Sequence, residues 1–131
     1  MQKIEVAQLH QVAQRARDLS AAIGFYRDVL GLRFIARFDP PGLAFFDIGG
    51  ARLLLEAAAP PATLYFRVED LEAAYPRLRE QGVQLVQEPH LIHRDEEGVF
   101  GGMGEEEWMA FCRDPDGNLI GLASRRPPGG S

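Results

Sequence analysis

The side chains able to do chemistry here are few, and several crowd one stretch. Residues 89–107 carry His90 and His93, an acidic pair, scattered glycines, and Glu105, Glu106 and Glu107 in a row. Imidazoles and carboxylates this close together are the donor types for general acid–base work or for holding a metal. The same composition also describes a solvated face, where histidines and clustered acids usually sit. A stretch this long with no strand or helix pattern reads as a lid or binding loop. Cys112 is the only thiol. It stands in an apolar run with no His or Asn near it in sequence, so it reads as a buried, inert side chain rather than a nucleophile. Trp108, beside the long loop, reads either as an aromatic wall for a ligand or as ordinary core.

Totals narrow the function classes. The chain has 131 residues, with 14 Lys and Arg against 19 Asp and Glu, for a formal charge of −5. No basic stripe exists to neutralise phosphates, which argues against nucleic acid as a partner. Lys3 and Glu5 interrupt the first residues, and no apolar run approaches bilayer length, so neither a secretory leader nor a membrane span is expected. With a single cysteine, these features lead us to expect a cytoplasmic protein.

The elements that must position these groups come in two copies. Arg17-Asp18-Leu19-Ser20-Ala21-Ala22 reappears as Glu69-Asp70-Leu71-Glu72-Ala73-Ala74. Each copy then reaches a helix-ending glycine and an apolar run, at Gly31-Leu32 and Gly82-Val83, and closes with two apolar stretches around a glycine turn. The expected order is βαβββ, twice. Strands are expected at Ala7 to Arg15, Leu32 to Phe38, Leu43 to Ile48 and Ala51 to Glu56, then at Thr63 to Val68, Val83 to Gln87, 108–113 and 118–123. Asp18 or Ser20 caps the first helix, which runs to about Leu30. Asp70 caps the second, which runs to about Gln81 with Pro76 inside it. This gives an α+β domain over residues 1–131, with modules at 7–58 and 62–124 and a flexible tail at 125–131. Neither module is large enough to bury a core comfortably alone, so a duplicated fold with a pseudo-twofold axis and a cleft between its sheets is expected.

These residues resemble the vicinal oxygen chelate superfamily, which includes glyoxalase I, extradiol dioxygenases and bleomycin-resistance proteins. The resemblance rests on Asp18-Leu19, on Phe25-Tyr26-Arg27-Asp28-Val29-Leu30-Gly31-Leu32, and on Asp114-Pro115-Asp116-Gly117-Asn118. It covers roughly residues 7 to 124. It implies curled mixed sheets enclosing a cleft and, in metal-dependent members, a divalent ion held by one ligand from the first and last strand of each half. Those slots fall on Gln11, on Leu54 (with Glu56 two residues on, along the same face), on Thr63 and on Gly121. Gln11 and Glu56 suit a metal; Thr63 and Gly121 do not supply an imidazole and a carboxylate. A missing imidazole would have to come from His90 or His93 folding back from the loop, although loop histidines more often stand exposed to water.

If the slots face the cleft, period-two alternation adds Ala13 and Arg15, Tyr65 and Arg67, and Ala123 to its wall. The expected ligand-binding set is Arg15, Thr63, Tyr65, Arg67, Trp108, Gly121 and His90. Paired arginines favour a carboxylate, phosphate or enolate, whereas the acidic balance suits a cation, so the ligand stays open. Three function classes follow. One is a metal-free protein binding a small molecule. A second is a metal-dependent lyase, isomerase or dioxygenase using Gln11 and Glu56 with a loop His. The third is a metal-free enzyme using Tyr65, Glu56 or a loop His as acid or base. A homodimer is expected, as the commonest soluble assembly.

Overall fold

The computed structural model describes residues 3–128. The chain divides into two compact units between Ala62 and Thr63. The first contains β1 (Gln11–Arg15), α1 (Leu19–Gly24), β2 (Arg33–Phe38), β3 (Leu43–Ile48) and β4 (Ala51–Glu56). The second contains β5 (Leu64–Arg67), α2 (Leu71–Glu80), β6 (Gln84–Asp95), β7 (Glu105–Arg113) and β8 (Leu119–Arg126). Each unit is one four-stranded mixed sheet, in the order β1-β4-β3-β2 or β5-β8-β7-β6. The first and last strands of each unit pair in parallel and the remaining neighbours are antiparallel. The βαβββ order expected from the repeat is therefore present twice.

The repeated aspartates act as helix caps. Asp18 accepts from the Ala21 amide at 3.1 Å, and Asp70 accepts from the Ala73 amide at 3.1 Å, each satisfying a first-turn donor. α1 continues through Phe25–Val29 as a π-helical stretch, with Leu30 N–H donating to Phe25 O at 3.0 Å. The wider turn buries both Phe25 and Tyr26. Gly31 and Gly82 end the helices at φ +76° and +73°, a conformation that suits glycine. Pro76 sits within α2 without ending it.

In each sheet one face packs on its helix. In the first unit this face carries Ala44, Phe46, Leu53 and Leu55, all buried, with the Tyr26 ring 6.1 Å from that of Phe46. In the second it carries Ala110, Cys112, Ile120 and Leu122, buried with Leu71, Tyr75 and Leu78 of α2. The Asp114–Asn118 turn sets the register of β7 on β8. Asp114 Oδ1 accepts from the Asp116 and Asn118 amides, both at 2.9 Å, and Asn118 Nδ2 donates to Asp114 Oδ2 at 2.9 Å.

Three expectations need correction. The segment 89–107 is mostly not a loop: β6 runs to Asp95 and β7 starts at Glu105, leaving 96–104 as the connection. Its pattern was hidden because β6 slips register at several points along β7, which breaks period-two alternation. The first strand begins at Gln11, not Ala7, and leaves Ile4, Val6 and Leu9 exposed. Arg125 and Arg126, expected in a frayed tail, are strand residues of β8; the end of that tail, residues 129–131, lies outside the described residues.

Candidate active-site face of the second sheet

The face of the second sheet turned away from α2 is built by alternation. Tyr65 pairs with Gly121 and Arg67 with Ala123 across β5 and β8. Phe111, Met109 and Glu107 follow on β7, opposite Gly121, Ala123 and Arg125. Tyr65 and Arg67 therefore lie on the face that alternation assigned to them, and Phe66 lies on the helix side.

At Gly121, where the resemblance implies a metal carboxylate, the space is filled by its neighbours. A Cβ there would stand 2.5 Å from Tyr65 Cδ1 and 3.2 Å from Phe111 Cε1. The two rings pack edge to face with centroids 6.1 Å apart. At Gly121 the Tyr65 ring takes the room that the missing side chain leaves. Thr63 supplies a hydroxyl in place of an imidazole. In the first unit, Gln11 pairs with Arg52 and Glu56 with Arg15 on the parallel β1–β4 ladder. Gln11 and Glu56 thus share a face but stand four residues apart along the strands, about 13 Å at the usual rise. Gln11 Oε1 accepts from Arg52 Nε at 3.1 Å. One ion does not bridge Gln11 and Glu56 from these positions, and Leu54, in the counted slot, has no donor. Among the described residues no three His, Cys, Asp or Glu side chains cluster as a metal site would require. The donor set does not fit a family-type divalent ion.

The histidines are on β6 rather than on a loop. His90 is half-buried, with its ring 6.4 Å from Phe111 and Nδ1 3.0 Å from Glu88 O. His93 is exposed, with its ring 6.2 Å from that of Phe100. Trp108 is on the opposite, helix-bearing face. Its ring lies 3.9 Å beneath the Arg126 guanidinium, which itself reaches Glu72 of α2, and its Nε1 donates to Glu106 at 3.0 Å. Trp108 is therefore no wall of this face. Arg15 lies on the helix-free face of the first sheet, beside Glu56.

Sequence reasoning missed the groups that finish the site. Tyr65, Arg67, Phe100, Met109 and Ala123 border a depression of about 300 Å³. Beside it, Arg67, Glu69, Phe100, Glu105 and Arg125 border a second one of about 520 Å³. Phe100 arrives from the 96–104 connection, and Asp95 holds it there. The Asp95 carboxylate is 1 % exposed and accepts from the Val99 and Phe100 amides at 2.8 and 2.9 Å. Arg125 adds a third bond at 3.1 Å and reaches Glu105 at 3.4 Å. Burial pushes the Asp95 carboxyl up, but the two amides and the Arg125 guanidinium outweigh it and hold it below its usual range. Arg125 is thus committed to carboxylates, whereas among the described residues the Arg67 side chain has no ion-pair or hydrogen-bond partner. Extending β8 past residue 124 would have found Arg125 by alternation; nothing in the sequence marked Phe100.

Comparison with known proteins agrees with this architecture. A family model described as Glyoxalase/Bleomycin resistance protein/Dioxygenase superfamily matches residues 8–122. The chain is 28 % identical over 133 residues to the uncharacterized protein YraH of Bacillus subtilis (strain 168), covering 86 % of this chain and 94 % of that one. Among solved structures, a lactoylglutathione lyase from Agrobacterium tumefaciens aligns with TM-score 0.67 and 25 % identity, over 92 % of this chain and 95 % of that one. A virulence protein from Salmonella typhimurium aligns with TM-score 0.71 and 22 % identity, over 92 % and 98 %. With the family model spanning most of the chain and the βαβββ order present twice, this protein belongs to the Glyoxalase/Bleomycin resistance protein/Dioxygenase superfamily.

Proposed function

We propose that this protein binds a small molecule on the helix-free face of its second sheet, without a resident metal ion. The observation that carries this reading is the Tyr65 ring seated over Gly121, where a metal-binding relative would carry a carboxylate. Aromatic surface there replaces a charged ligand set, and Arg67 supplies a polar anchor two residues along the same strand. Apolar walls with a few placed polar groups are the usual make-up of a small-molecule site. Of the candidate acids and bases named from the sequence, Tyr65 borders this depression, Glu56 is on β4 of the first unit, and His90 and His93 are on β6. We assign no reaction to any of them.

The test is ligand-induced stabilisation of chelator-treated protein against a panel of small acids, amines and neutral aromatics, repeated for Arg67→Ala. A ligand at about a hundred times its Kd raises stability by about 2.7 kcal/mol. At least one class stabilises the parent, and Arg67→Ala weakens that effect. Stabilisation by every class equally in both proteins contradicts the assignment.

A further inference from the structure

The charges around Arg67 restrict what this face accepts. Of the two arginines bordering the depressions, Arg67 is the one whose side chain has no partner among the described residues, since Arg125 is held by Asp95 and Glu105. Glu69 borders the same space as Arg67, and Glu107 borders the neighbouring depression. An anion entering here gains one guanidinium and meets the Glu69 and Glu107 carboxylates nearby. A single negative charge is well matched, because a planar carboxylate takes two parallel bonds from guanidinium. A dianion brings a second charge that the surrounding carboxylates repel. Beyond Arg67 the walls turn apolar. Met109 lies two strands away, about 9.6 Å between backbones at the usual strand spacing. Phe100 borders the same depression, 70 % exposed, with its ring 6.2 Å from that of His93 and its amide bonded to Asp95. With its backbone tethered by a buried carboxylate, Phe100 presents apolar area with less backbone freedom left to lose on binding.

We propose that the face selects monocarboxylates with an apolar, ring-sized body, with Arg67 holding the carboxylate and Phe100 covering the body against Met109. The proposal rests on the reading of this face as the binding site. It makes Arg67 the charge selector and Phe100 the size and shape selector, with Asp95 a positioning residue behind Phe100.

The probes are 3-phenylpropanoate, 3-phenylpropanamide, phenyl phosphate and acetate, titrated into the full chain and followed by amide chemical shifts and calorimetry. Arg67→Ala and Phe100→Ala are the variants, since both side chains are exposed and their loss leaves the fold intact. The expected result is that 3-phenylpropanoate shifts Tyr65, Met109 and Ala123 and binds at least tenfold tighter than the amide or the phosphate. Arg67→Ala removes the advantage of acid over amide. Phe100→Ala weakens 3-phenylpropanoate several-fold and leaves acetate unchanged. If the amide or the phosphate binds as tightly while shifting the same residues, the ligand class is wrong and the site stands. If an acid–amide difference persists in Arg67→Ala, Arg67 is not the selector and the proposal fails. If no probe shifts these residues, the site reading itself is overturned.

Discussion

Adding one methyl group at Gly121 probes how the Tyr65 ring is seated. The new Cβ would stand 2.5 Å from Tyr65 Cδ1, so the ring must leave or the strands must part. Gly121→Ala is expected to cost about 1–3 kcal/mol, the usual range for overpacking. In a Tyr65→Ala background the cost should shrink, because Phe111 alone stands at 3.2 Å. Denaturant unfolding of the two single variants and the double variant measures that coupling. Equal costs in both backgrounds would mean that Tyr65 does not occupy the slot. Cys112 gives a second test. Burial pushes its thiol up to about 11, so a thiol reagent at pH 8 should label it only after unfolding. The burial of Cys112 was legible from its apolar neighbours. The filling of Gly121 was not, because a glycine in a strand says only that something approaches, not what.

Asp95 organises the 96–104 connection, and its titration should show there. Its folded carboxyl lies below the usual range, so its contribution is complete above the unfolded value of about 3.9 and is lost as pH falls through the lower folded value. The Val99 and Phe100 amides should therefore lose exchange protection below about pH 4, before the sheet amides do. Asp95→Asn should reproduce that loss at neutral pH. Protection in Asp95→Asn equal to that of the parent at neutral pH would show that the connection is held by something else. The capping aspartates give a further check at this scale: Asp70→Ala is expected to cost about 1 kcal/mol, read from the shift in unfolding midpoint. Helix starts and ends were readable because a cap and a terminal glycine act within a few residues of each other. The β6–β7 extension was not, because bulges break alternation and a long-range pairing partner leaves no local mark. His90 and His93 were consequently expected on a loop, yet both stand on β6.

Duplication is the largest feature of the molecule, and the two copies have diverged. Both retain the capped helix, the terminal glycine and a parallel outer pair with two antiparallel neighbours. Only the second adds a long hairpin with an aromatic residue on its connection. In the first unit, the helix-free face keeps Gln11 against Arg52 and Arg15 beside Glu56. The repeat and the family signatures were visible in the sequence because they are backbone requirements: caps, turns and helix ends. The Asp114–Asn118 signature is one of these, a turn that closes on itself rather than a catalytic group. Chemistry left weaker traces, since it depends on which side chain fills a position across the sheet. The most direct test of metal-free binding is thermal unfolding of chelator-stripped protein with 3-phenylpropanoate, with and without added Ni, Zn, Mn, Fe(II), Co or Mg. The expected result is a rise in midpoint with the carboxylate alone, unchanged by any metal and reduced in Arg67→Ala. A rise that requires one of the metals would contradict it.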